Sequence, residues 1–129
     1  TAAAFGIATE IYSVDLVPPA VRADRVHFVR GDCEAIDQVF DSGWLRDAAH
    51  PWLLVEDAHA NVYGVLSHFH SRMHVGDYVI IEDSASKQPE LSHFLTRHPH
   101  VYAVDTYFTD FFGRNVTCAQ DSILVRMHD

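Results

Sequence analysis

The stretch "DYVIIEDS" (residues 77–84) decides the fold. Tyr78, Val79, Ile80 and Ile81 have strong strand preference and run straight into two carboxylates, Glu82 and Asp83. Upstream, "WLLVEDAH" (52–59) does the same with Glu56 and Asp57. Glu56 and Glu82 stand 26 residues apart, the length of one strand–helix repeat. Between them, Val62, Val65, Leu66, Phe69 and Met73 recur at spacings of three and four, which predicts a helix over 60–75. Gly76 stands where a left-handed C-cap belongs.

Outward from this unit the same alternation continues. "EIYSVD" (10–15) and "RVHFVR" (25–30) read as strands, with Pro18-Pro19 forcing a loop between them. Asp32 is a good N-cap for a helix whose inner stripe is Ile36, Val39 and Phe40. Pro89 marks a helix start, with Leu91, Phe94 and Leu95 inside and a stop before Pro99. "VYAVDTYF" (101–108) and "SILVRM" (122–127) read as two final strands, and "TAAAFGIA" (1–8) as the tail of a helix. Strand–helix–strand alternation predicts an α/β, mostly parallel, doubly wound sheet. The last two strands are joined by a loop, so the final one is expected to be antiparallel.

Composition narrows the class. The chain has 129 residues, 48% of them apolar, which is enough for the core of one domain. No apolar run approaches a membrane span, and no secretory leader is expected. A formal charge of −9, with nine scattered Lys and Arg, argues against nucleic-acid binding. Two distant cysteines and no CxxC pair point to a reduced, cytoplasmic chain. The ten histidines show no zinc spacing and read mostly as surface residues.

In open α/β sheets ligands sit outside the carboxyl ends of the strands. Asp15, Asp32, Glu56, Asp57, Glu82 and Asp83 all fall there. Carboxylates gathered on one edge repel unless a cation or ligand donors compensate them, and hard divalent cations such as Mg²⁺ take such oxygens. Asp15 is placed for ribose hydroxyls or, more plainly, to stabilise the loop before the prolines. Asp32 either caps its helix or also touches a ligand's base. His59, three residues past Glu56, is positioned to act as a general base, or is a polar loop residue.

"VHFVRGDCEAI", "PWLLVEDAHANVYGVL" and "GDYVIIEDS" together resemble the cephalosporin hydroxylase family, S-adenosylmethionine-dependent O-methyltransferase-like proteins of natural-product pathways. The resemblance covers most of residues 9–127. It implies a Rossmann-like class I methyltransferase fold and makes residues 1–129 one partial domain, lacking the N-terminal strand and Gly-rich cofactor turn. The resemblance implies metal ligands at Glu56 or Asp57 and at Glu82 and Asp83. It puts the cofactor ribose on Asp15, the adenine beside Asp32 and its neighbour Cys33, and the catalytic base on His59, with Glu56 also facing the cofactor. The implied activity is metal-dependent methyl transfer from S-adenosylmethionine, with Mg²⁺ or another divalent cation, to a hydroxyl of a small natural product or sugar. Tyr107, Phe108 and Phe111 would wall the acceptor pocket. Neither nucleic acid nor membrane is an expected partner, while a homo-oligomer remains compatible. The alternative is a non-catalytic auxiliary component working with an oxygenase. A metal-dependent hydrolase lacks any nucleophile signature.

Overall fold

The computed structural model describes residues 9–107 and 122–129. Six strands are present: β1 (Ile11–Asp15), β2 (Val26–Arg30), β3 (Leu53–Glu56), β4 (Tyr78–Ile81), β5 (Tyr102–Val104) and β6 (Ile123–Arg126). Among the described residues four complete helices join them: α1 (Ile36–Val39), α2 (Ser42–Asp47), α3 (Val62–His70) and α4 (Ser84–Arg97). The strands form a parallel pair, β1-β2, and a four-stranded sheet in the order β3-β4-β6-β5. β3 and β4 are parallel, and β6 lies between β4 and β5, antiparallel to both. The expected antiparallel final strand is therefore present. Its insertion between β4 and β5 was not foreseen.

All four helices pack on one face. Val79, Ile81 and Leu124 meet Val62, Leu66, Leu91 and Phe94 in one buried cluster. A second cluster joins Ile36, Phe40, Leu45, Val65 and Phe69, and it is covered by Val14 from β1 and by Trp52 and Leu54 at β3. Both sheets thus rest on a common helical layer. Fully burying a side chain such as Phe94 or Leu66 stabilises by about 1.5–3 kcal/mol. Strand alternation turns Leu53 and Val55 to the other face, where they remain 62% and 49% exposed.

Three helix boundaries differ from the sequence reading. The helix expected over 60–75 ends at His70, and Gly76 takes its left-handed φ of 93° in the turn before β4 instead of capping α3. α4 begins at Ser84, so Pro89 lies inside it. There it cannot donate a bond to the Ala85 carbonyl, and its ring crowds that carbonyl. The stretch after Asp32 is a 3-10 turn followed by α1, and α2 was missed. Asp41 caps α2 by accepting a bond from the Trp44 N–H at 2.8 Å. The readings of 1–8 and of Phe108 and Phe111 lie outside the described residues, and Tyr107 is exposed.

At the end of the sheet away from the acid pairs, Asp77 is fully buried and organises the chain. Its carboxylate accepts from the backbone N–H groups of Trp52 and His74 and lies 2.7 Å from His50 Nδ1. Four of the ten histidines (His50, His68, His70 and His98) are half-buried, which corrects the surface reading for these.

The His70 ring lies tilted against that of His98, with centroids 3.7 Å apart, and its Nδ1 lies 2.9 Å from the Tyr102 hydroxyl. Burial, then His98 and then Arg126 push its pKa down to about 4 from the ordinary 6.5. The unfolded chain therefore takes up this proton first, so the stabilisation is whole above pH 6.5 and is lost as pH falls towards about 4. Urea titrations over that window should show stability dropping with acid, and His70→Gln should flatten the slope. An unchanged slope would remove His70 from the acid response.

Candidate functional site

The loops after β2 and β3 meet at the carboxyl end of the sheet. Asn61 Nδ2 donates to the Cys33 carbonyl at 2.8 Å, tying the "GDC" turn to the start of α3. A side chain at Gly64 would run into the Asn61 amide and displace it from this bond. Asp32 Oδ1 accepts the Glu34 N–H at 3.0 Å, and Asp15 Oδ1 accepts the Val17 N–H at 2.8 Å. Both acids are exposed at strand ends and do take the local roles weighed for them. The Cys33 thiol is pushed up by burial and then by neighbouring Asp32 and Glu34, which disfavours a thiolate.

The two acid pairs do not meet as their spacing suggested. Leu53 is in register with Tyr78 and Glu56 with Ile81, an offset one residue short of the acid spacing. Glu56 shares the parity of Leu54 and turns into the helical layer, whereas Glu82 shares that of Tyr78 and Ile80 and faces the other way. Glu56 is 3% exposed, and its Oε2 accepts from Lys87 Nζ at 2.7 Å. Its Oε1 accepts the Ala58 N–H at 2.9 Å. These bonds correct the reading of Glu56 as a cation ligand or a cofactor contact. An unpaired buried lysine would be costly, and Glu56 is the group that compensates it.

What the structure does bring together is Asp57, His59 and Asp83. One ligand atom from each lies within 4.8 Å of the other two. His59 Nε2 is 3.4 Å from Asp57 Oδ1 and 3.5 Å from Asp83 Oδ2, and all three side chains are at least half exposed. Glu82 is exposed and stands outside this group. His59 and Asp83 both have left-handed backbone, with φ of 58° and 48°. Such conformations in non-glycine residues persist where the surroundings over-determine them. Lys87 escaped the sequence reading although the signal was present. It shares the inner stripe with Leu91 and Phe94, at i, i+4 and i+7, where a lysine needs a partner.

A parallel pair beside a mixed four-stranded sheet, both on one helical layer, is a Rossmann-like methyltransferase fold. No family model and no curated protein matches the chain. Among solved structures the chain is similar to CmcI. An apo structure of CmcI superposes with a TM-score of 0.77 at 24% identity, covering 98% of this chain and 56% of that one. CmcI with Mg and SAM gives 0.75 at 26%, with the same coverage. CmcI with SAH gives 0.68 at 25%, over 98% and 60%. The chain thus spans less than two thirds of the length of the proteins it matches. Among the described residues no helix is long and apolar enough to cross a membrane.

Proposed function

We propose that the chain carries the cation-binding and proton-accepting edge of an S-adenosylmethionine-dependent O-methyltransferase acting on a hydroxyl of a small natural product or sugar. The observation that carries this reading is the convergence of Asp57, His59 and Asp83 at the carboxyl ends of β3 and β4. It is supported by the similarity to CmcI with Mg and SAM.

The donor set fits a hard divalent cation: two exposed carboxylates, with open space around them for water ligands. Asp57 and Asp83 would hold it. When bound, such a cation supplies Lewis-acid polarisation of an acceptor hydroxyl. His59 takes the hydroxyl proton on Nε2, the nitrogen that faces both carboxylates. The exposed carboxylates of Asp15 and Asp32 fit the ribose and base of S-adenosylmethionine, which supplies the methyl group. A second reading is the non-catalytic auxiliary component, which binds cation and ligand without turning over.

Transfer of a labelled methyl group from S-adenosylmethionine to a panel of hydroxylated small molecules tests the proposal. Turnover should require a divalent cation, stop on chelation and return with added Mg²⁺. Asp83→Asn should raise the Mg²⁺ concentration needed by about 10-fold or more. Transfer that persists undiminished in chelator would sink the cation-dependent reading. Cation binding without any transfer would select the auxiliary one.

A further inference from the structure

We infer that Lys87, through its buried pair with Glu56, is a positioning residue for Asp57, His59 and Asp83, a role that rests on the reading just proposed. α4 starts at Ser84, directly after Asp83, and Lys87 lies one turn into it. From there Lys87 Nζ reaches the last residue of β3, at 2.7 Å from Glu56 Oε2 and 3.4 Å from the Glu56 carbonyl oxygen. The second Glu56 oxygen takes the N–H of Ala58, the residue between Asp57 and His59. One unbroken set of bonds therefore runs from the helix bearing Asp83, through Lys87 and Glu56, to the loop bearing the other two groups.

This brace is buried directly behind an exposed cluster: Lys87 and Glu56 side chains are 4% and 1% exposed. The cluster itself has reason to open, because two carboxylates held close repel each other. Backbone ties between the loops are few, with the Glu82 N–H to the Glu56 carbonyl, at 2.9 Å, extending the β3–β4 ladder by one bond. Stability alone does not call for an ion pair here, since well-packed apolar residues of similar volume commonly stabilise as well or better. What the pair supplies and an apolar pair would not is a fixed direction for the β3 loop relative to the start of α4.

The test is the double variant Glu56→Met/Lys87→Met in the whole chain, chosen because Lys87→Met alone leaves a buried carboxylate unpaired. Its melting temperature should match or exceed that of the unaltered protein. Amide hydrogen exchange at Glu82 and Ser86, whose N–H groups bond the backbone carbonyls of Glu56 and Asp83 and neither replaced side chain, should nonetheless accelerate by about tenfold or more, as for a local opening. Mn²⁺ affinity by calorimetry should fall by about 10–100-fold, the loss seen when groups that orient metal ligands are removed. Unchanged exchange at both amides in a stable double variant would overturn the inference. Should the unaltered chain bind no Mn²⁺, the cation reading falls, while the exchange result still decides whether the brace positions the loops.

Discussion

Asp77→Ala is expected to lower the unfolding free energy by about 3–5 kcal/mol, since each buried donor left without an acceptor costs about 1–3 kcal/mol. The carboxylate is 0% exposed and serves the N–H groups of Trp52 and His74 together with the His50 ring. Alanine can take none of these bonds, and the site is too deep for bulk water to replace them. A domain of this size has only about 5–15 kcal/mol in hand, so the variant should be marginal at 37 °C. Denaturant unfolding monitored by fluorescence measures the loss. A cost under about 1 kcal/mol would show that the loop before β4 finds other acceptors.

For activity, the largest expected effect is at His59. Removal of a general base costs about 10²–10⁴-fold in rate, and His59→Ala should fall in that range. The deficit should shrink as pH rises and the acceptor hydroxyl ionises without help. Affinity for S-adenosylhomocysteine should change little, because Asp15 and Asp32, the residues proposed to face the cofactor, stand on other loops. Turnover and ligand binding measured from pH 6 to 9 separate these effects. A rate within about tenfold of the unaltered protein throughout would make His59 a loop residue, as surface changes usually are.

The fold was largely legible because β-branched runs and helical spacing report burial directly. "EIYSVD" became β1, and Val62, Val65, Leu66 and Phe69 are the buried face of α3. The place of β6 was not legible, since pairing on both sides of a strand depends on partners distant in sequence. α2 is short and has one buried residue, Leu45, so it lacked a stripe to read. In the site, the sequence identified the edge and its acids but not which of them meet. That outcome depends on a single residue of register, which turns Glu56 inward and Glu82 away. It depends also on Lys87, a charged residue on an apolar stripe that captures Glu56 and leaves Asp57 and Asp83 to face His59.

Crystals of the chain grown with Mn²⁺ and measured at the manganese edge would locate the cation. An anomalous peak is expected within ligand distance of the Asp57 and Asp83 carboxylates, with the Glu56 carboxylate still on Lys87. A peak held by Glu56 and Glu82, or none beside Asp57 and Asp83 at millimolar Mn²⁺, would contradict this assignment.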